Sequence, residues 1–480
     1  MAHYYRAMSL PCRQQKTPER GLFYQDFGSG GVAPTMSANP KPAGPGPTTA
    51  LARDYTVITG PCAMPKAATS RRRFSPHSFV MYDQVIIGGG IIGLSTAWQL
   101  KLRQPHSQVL VLEKESRPAT QQTGHNSGVM HTGIYYEPDS LKAEFCRAGL
   151  AATMRFCDEN DIPYEQCGKL LVATNEPEHR RMLALYGRAK QYGLDVTLLD
   201  ALELESLEPN IAGTGAIHVR ETGIVDYARV CAKMAERFQS LGGEIRLDCE
   251  SIALSECADR VDIILKDRTS ISSRYLIACA GLMADRLARM FTIDIDFRIV
   301  PIRGEYYRLP AARNNMVNHL IYPIPDPNLP FLGIHLTKMM DGSVTVGPNA
   351  VLGWKREGYG RINVNLSDAL DMLGFPGFWR LLRGNVVTGM RELRNSVWKR
   401  SYLKLVQKYC PSLQMSDLQP YPAGIRAQTV LADGTLVHDF LFAETRRSLH
   451  VCNAPSPAAT SAIPIGSYLC SKIEERMNDV

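Results

Sequence analysis

The sequence lacks a metal-binding signature, a membrane span and an internal repeat. Its twelve cysteines are scattered, with no C-x-x-C pair and no ligand spacing to histidine. That argues against a structural zinc site and fits reduced thiols in a cytoplasmic compartment. No apolar run approaches the roughly 18 residues a spanning helix needs, so any membrane contact must be peripheral. An excess of one charge is also missing once the charge is located. The net charge is +7, but residues 1–80 hold ten Lys/Arg against three Asp/Glu, leaving 44 of each sign from residue 81 onward. The main body therefore carries no global nucleic-acid signature. Residues 1–80 also hold ten of the thirty prolines and show no sustained period, so they read as disordered or as an upstream-extended reading frame. An Arg-rich, acid-poor transit peptide is the alternative. Ser70-Arg-Arg-Arg-Phe74 is followed by Ser75-Pro-His-Ser78 rather than the apolar stretch a twin-arginine signal requires.

What is present is organised around Tyr82–Trp98, which reads as a buried strand (Val85 to Ile87), a glycine turn and the start of a helix. Gly88, Gly90 and Gly93 form G-x-G-x-x-G, whose glycines permit a tight turn, approach of a pyrophosphate, and close helix–strand packing. The free N–H groups of such a helix face the phosphates. A second apolar run, Val109-Leu-Val-Leu112, ends in Glu113, twenty residues past Gly93. A carboxylate there accepts ribose hydroxyls and repels a 2′-phosphate. The ligand is therefore FAD or NAD rather than NADP, with Lys114 beside the same ribose position.

Further along, apolar spacing predicts a helix over 140–159, a strand over 169–174 and a helix over 177–192. Asp226 is the expected N-cap of another helix, stopped at Gly242-Gly243. Three strands are expected at 244–247, 261–266 and 275–279, the last ending in Ala280-Gly281, a second point where backbone can approach a nucleotide. Residues 297–351 read as an antiparallel sheet and 366–409 as two or three helices. A strand over 423–430, a hairpin at Asp433-Gly434, a strand over 449–452 and a last helix with Ser456 as N-cap and Pro457 at its first position complete the chain. The expected fold class is α/β (α+β overall). A discontinuous Rossmann-like dinucleotide domain (81–165, 222–290 and 415–480) is joined by an antiparallel-sheet substrate domain (166–221 and 291–414).

Four longer stretches carry a specific resemblance: Gln122–Tyr136, Gly347–Tyr359, Pro422–Gln428 and Asn453–Ala462. From Met81 to the C-terminus the chain resembles the L-2-hydroxyglutarate dehydrogenase family of bacterial type, among the D-amino-acid-oxidase-like FAD enzymes. The resemblance implies non-covalent FAD and oxidation of L-2-hydroxyglutarate to 2-oxoglutarate. It also implies electron delivery to membrane quinone from the cytoplasmic face of the inner membrane, in lysine and glutarate breakdown. Residues 1–80 match nothing in that family.

Oxidising a 2-hydroxy acid takes a hydride from C2 to flavin N5 and a proton from the hydroxyl, and histidine is the expected base. His131, after the flavin-wrapping loop, and His335, on a strand, are the candidates, each with a satisfied core histidine as the plain alternative. His125 reads as a flavin-loop or structural group. A dianionic substrate calls for two cationic contacts, preferably arginines, and Arg426 and Arg303 are the candidates, with Tyr136 and Tyr306 as hydroxyl donors. Ser127, Gly424, Asn453 and Pro455 join the expected flavin contacts, and the helix start at Ser456–Ala459 is expected to offer N–H donors to the reduced ring. The rival readings are a flavin-dependent amino-acid or amine oxidase on the same fold, an RNA-modifying flavoprotein, and a catalytically silent nucleotide-binding module.

Overall fold

In the strand Met81–Ile87 the stretch Gln84–Ile86 is buried, and Val109–Leu112 beside it is buried throughout. Continuous apolar runs of this kind suit strands covered on both faces. They pair in parallel, Val85 opposite Leu110, and Ser270–Ala278 pairs in parallel on the other side of Met81–Ile87. The sheet runs on through Ser448–Asn453 to Leu441–Glu444 at one end and Glu244–Arg246 at the other. Chain from 81–112, 244–278 and 441–453 thus meets in one sheet, a discontinuous assembly as the sequence predicts. Helices Ile91–Arg103, Tyr227–Ser240 and Ala462–Asn478 cover it, burying Leu94, Phe238 and Leu469 against Ile86 and Ile277. The computed structural model describes residues 52–53, 81–137, 139–326, 333–360 and 362–478. The expectation for residues 1–80 therefore lies outside the described residues, except that Ala52–Arg53 form an edge strand paired with Phe442–Ala443.

A second nine-stranded sheet is built from Lys169–Ala173, Val196–Leu199, Gly215–Val219, the strands of 297–352 and Gln419–Leu431. Its spine is the antiparallel pair Phe297–Arg308 and Gln419–Leu431, in register from Phe297 opposite Leu431 to Arg308 opposite Gln419. Gln419–Leu431 was expected with the dinucleotide sheet, and it belongs to this one. The predicted strand covered only Ala423 to Val430, too short to show that it spans the molecule. Both sheets lie within one compact unit.

Several elements match the sequence closely. Ser140 caps helix Leu141–Glu159, accepting from the Ala143 N–H, and Asp226 caps Tyr227–Ser240. Others differ. A strand at Ser251–Glu256 accompanies the three predicted around it, because only one of its six side chains is buried and its apolar signal is correspondingly weak. Four helices fill 366–407 rather than two or three. The last helix begins at Ala462, not after Ser456. Residues 456–461 form consecutive turns, with the Ala458 N–H donated to the Pro455 carbonyl and the Ser461 N–H to Pro457.

One buried ion pair ties the stretch 354–371 to the start of helix Ala284–Met290. Arg356, 2% exposed, donates from both Nη atoms to the carboxylate of fully buried Asp285, and also to the Leu282 carbonyl and Asp371. Removing one member of such a pair strands the other without compensation. Arg356→Met is expected to cost about 3 kcal/mol in denaturant unfolding, since Arg289 stands close enough to compensate Asp285 only in part. A loss below about 1 kcal/mol, the scale of an exposed ion pair, would show that the pair is not a structural anchor.

Candidate active site

A single cavity of about 670 Å³ runs from the glycine turn to the second sheet. At one end Gly88 adopts φ +113°, and a Cβ there would lie 2.4 Å from the Cys279 carbonyl oxygen. A Cβ at Gly93 would lie 2.0 Å from the Gly88 carbonyl oxygen. Helix and strand can approach this closely only without side chains. Gly90 is different, because a Cβ there meets only the Thr123 hydroxyl, at 3.4 Å, so its outer side is open to the cavity. Glu113 is 8% exposed and accepts from the Gly89 N–H at 2.6 Å and the Glu115 N–H at 3.0 Å, one on each oxygen. Each oxygen keeps a lone pair for a further donor. Desolvation raises the Glu113 pKa, and those two N–H bonds oppose the rise. Lys114 lines the cavity paired with Glu357. His125, expected as a flavin-loop or structural group, lines the cavity and is stacked on Tyr359 at 3.6 Å with its Nδ1 at the Gln121 carbonyl.

The same cavity takes in Ser127, Ala280, Gly281, Gly424, Asn453 and Pro455. Asn453 fixes its loop from within: its amide donates to the Val437 and Asp439 carbonyls and accepts from Thr429. Thr460, which sequence reasoning passed over although it lies inside a quoted stretch, ties this end to the next. Its hydroxyl accepts from the His131 N–H at 3.2 Å and bonds Tyr227 at 2.9 Å.

At the far end His131, His335, Arg426, Tyr136 and Tyr306 line the cavity together. The His335 ring is stacked on Tyr322 at 3.9 Å, and its Nδ1 lies 3.0 Å from the Gly333 carbonyl. A carbonyl only accepts, so Nδ1 carries the proton and Nε2 the lone pair. Burial, with the charges of Arg426 and Lys169 behind it, pushes the His335 pKa down to about 3 against the pull of Gly333. His131 is likewise held well below its ordinary value, by burial first and then by Lys169, His335 and Lys142. The sequence called for a base titrating near working pH, whereas in the free protein both rings are firmly neutral.

Arg303 does not reach this cavity. It donates to the Gly358 carbonyl at 3.3 Å and lies 3.7 Å from Glu305. Its cross-strand partner is Ile425, which packs into the core, whereas Arg426 pairs with Ile302. Successive strand residues face opposite ways, so two arginines on neighbouring positions cannot serve one site. Beside Arg426, the cation near the two histidines is Lys142, 4.5 Å above the Tyr136 ring, and burial lowers its pKa. Its position two residues after the N-cap of a predicted helix gave no sign of this. Lys169, 1% exposed, stands behind Tyr135 and Tyr322 at 5.0 and 5.4 Å from their rings, its pKa pushed down to about 8 by burial.

The family model for FAD dependent oxidoreductases matches residues 83–472. The chain belongs to the FAD dependent oxidoreductase family. It is 56% identical to the L-2-hydroxyglutarate dehydrogenase of Escherichia coli (strain K12) over 394 residues, covering 82% of this chain and 93% of that one. It is 40% identical to the mitochondrial L-2-hydroxyglutarate dehydrogenase of Homo sapiens over 412 residues, 82% and 89% of the two chains. Among solved structures it resembles dithionite-reduced L-α-glycerophosphate oxidase from Mycoplasma pneumoniae with FAD bound (TM-score 0.65, 23% identity, 81% and 94% covered). It also resembles glycine oxidase from Geobacillus kaustophilus (TM-score 0.62, 16% identity, 82% and 95% covered). As an FAD dependent oxidoreductase the protein takes FAD, and its residues fit one: an open glycine, a carboxylate with lone pairs to spare, and a buried Tyr135 hydroxyl without a partner among the described residues.

The ribose position is testable. Glu113→Ala is expected to lower flavin occupancy of the purified protein, each lost charge-assisted bond being worth roughly 1.5–3 kcal/mol. An unchanged flavin dissociation constant, read by fluorescence titration of the apoprotein, would take Glu113 out of the site.

Proposed function

We propose that this oxidoreductase converts L-2-hydroxyglutarate to 2-oxoglutarate. The observation that carries the reading is the pairing of two cavity cations, Arg426 and Lys142, with a tautomer-fixed neutral histidine at the far end of a nucleotide-binding cavity. A substrate with two carboxylates uses both cations, whereas an amino-acid or amine oxidase substrate with one carboxylate leaves Lys142 without a partner. The relatives at 40–56% identity carry the same substrate in their names. In this reading the electrons pass to a membrane quinone, with peripheral contact at the cytoplasmic face of the inner membrane, in lysine and glutarate breakdown. We assign 81–165, 222–290 and 432–480 to the FAD half, and 166–221 and 291–431 to the substrate half.

FAD, when bound, supplies the two-electron acceptor for the C2 hydrogen. The chain does the rest. In this reading Arg426, which lines the cavity together with His335, grips the carboxylate next to the reacting carbon. Lys142 takes the distal carboxylate. His335 Nε2 removes the hydroxyl proton, while Nδ1 stays anchored on Gly333. His131, held by Thr460, is the alternative base and shapes the opposite wall. The dianion also changes the base. Two negative charges beside Arg426 and Lys142 offset the cations that disfavour imidazolium, which raises the histidine pKa when substrate is present.

This gives a pH prediction with a defined sign. His335 must be unprotonated to act, and its lowered pKa keeps it so in the free enzyme down to strongly acid pH. The acid limb of kcat/KM, which reports free enzyme, should lie well below the ordinary histidine value of about 6.5. The acid limb of kcat, which reports the complex, should lie at higher pH than that of kcat/KM. The opposite order would remove His335 as the base.

Arg426→Lys keeps charge but loses the planar fork. It should retain flavin yet lose on the order of 10²-fold in kcat/KM, about 2.7 kcal/mol, on both L-2-hydroxyglutarate and L-lactate. Lys142→Met should penalise L-2-hydroxyglutarate and leave any L-lactate turnover nearly unchanged, since lactate has no distal carboxylate. Wild-type kinetics for Arg426→Lys, or equal losses on both substrates for Lys142→Met, would sink the respective assignments.

A further inference from the structure

Of the four helices of 366–407, three bury apolar side chains (Met372, Phe378, Tyr402, Leu403 and Val406), and one is turned inside out. Helix Val386–Val397 exposes Val387 (83%), Met390 (68%), Leu393 (58%) and Val397 (66%), while its packed side carries Asn395 and Glu392. Those polar groups are used inward: Glu392 accepts from the Ala350 N–H and Asn395 accepts from the Ser401 hydroxyl. An ordinary surface helix has the reverse arrangement, apolar in and polar out. Two tryptophans, Trp379 and Trp398, are exposed on the same consecutive helices. Twelve of the twenty-two exposed large apolar residues among the described residues fall within 362–405. A concentration of this kind marks an interaction surface.

Charge identifies the partner. Residues 366–408 contain eight Lys/Arg and three acidic residues, and the acids are engaged on the packed side: Asp368 with Arg286, Asp371 with Arg289 and Arg356, and Glu392 with the Ala350 N–H. Three of the eight are engaged by the protein: Lys408 pairs with Glu178, Lys399 lies over the Tyr307 ring, and Arg380 donates to the Ala432 carbonyl. Arg383, Arg391, Arg394, Arg400 and Lys404 remain on the exposed side. An apolar strip with tryptophans, accompanied by exposed arginine and lysine and with its acids turned inward, is the composition of an interfacial helix on anionic lipid. A second copy of this chain is less well matched, because a symmetric contact would set these like charges against each other.

We propose that the exposed face of helices Leu366–Gln407 docks on an anionic lipid surface, with Val387, Met390, Leu393 and Val397 entering the headgroup boundary. This deepens the peripheral membrane contact of the proposed function and stands apart from the substrate reading of the active site. It locates the face turned to the bilayer and states the lipid charge it requires.

The test is co-sedimentation of the full-length flavoprotein with phosphatidylglycerol/phosphatidylcholine vesicles and with phosphatidylcholine vesicles alone. Turnover with a soluble dye acceptor and oligomeric state without lipid are read in parallel. The wild type should sediment with the anionic vesicles, more weakly at high salt, and far less with the neutral ones. Val387→Glu combined with Met390→Glu should lower the vesicle partition coefficient at least tenfold while leaving dye-linked turnover unchanged. Arg391→Gln with Arg394→Gln should lower the partition coefficient on anionic vesicles alone by roughly fivefold per lost charge, the equivalent of about 1 kcal/mol each. The proposal is overturned if the wild type stays in the supernatant, if the glutamate variant binds as the wild type does, or if neutral and anionic vesicles bind equally. It is also overturned if the glutamate variant turns a dimer into a monomer with no change in vesicle binding, which would assign the face to a second copy. Loss of dye-linked L-2-hydroxyglutarate turnover in the wild type would refute the substrate reading and leave this inference standing.

Discussion

The structure rests on a backbone contact that admits no side chain. Gly93 stands over the Gly88 carbonyl, and Gly88 over the carbonyl of Cys279, at distances where a Cβ would overlap an oxygen. That contact sets helix Ile91–Arg103 directly against the ends of two parallel strands whose chain positions differ by almost 200 residues. The nucleotide end of the cavity follows from it, because the helix terminus, Glu113 and Ala280-Gly281 converge only when these backbones touch. A substitution at Gly93 therefore disturbs the sheet, the helix and the pocket together, and its effect cannot be confined to cofactor affinity.

Electrostatics governs the other end. Arg426, Lys142 and Lys169 act on a low-dielectric region that contains both histidines and a set of tyrosines. Burial and neighbouring cations both disfavour imidazolium, so both rings are neutral without substrate. The cost is a weak base in the free enzyme. Under the proposed function, an anion that neutralises the cations recovers the part of that basicity which the cations, rather than burial, remove, and so couples recognition of two carboxylates to activation of the base. A monocarboxylate satisfies one cation and recovers less of that basicity, so specificity for a dianion is expressed in the chemical step as well as in binding.

The glycine turn, Glu113 and the parallel strands were legible in the sequence because each rests on short-range chemistry: a turn only glycine permits, a carboxylate at fixed spacing, apolar runs buried on both faces. The candidate residues were found for the same reason, since they lie in polar, glycine-rich stretches too aromatic for linkers. What failed was long-range. Arg303 and Arg426 look alike in sequence, and only the register of their strands sends one away from the cavity. Lys142 and Lys169 resemble ordinary helix and strand lysines until the fold buries them. The basic helices of 366–407 vanished in a net charge of zero, because acidic residues elsewhere in the body cancel them.

The two long strands explain why the nucleotide and substrate ends can be so precise relative to each other. Phe297, Ile299 and Ile425 pack in the core beneath the parallel sheet with Leu276, while residues further along the same strands enter the second sheet. Gly424 and Arg426 are thus two positions apart on one rigid element, on the same side of it. The glycine lets the His125 segment come close, with a Cβ there only 3.0 Å from the His125 carbonyl oxygen, and the arginine reaches the substrate end from that fixed point. Rigid elements hold a site better than loops do. The spacing between Gly424 and Arg426 is therefore set by strand geometry rather than by a loop.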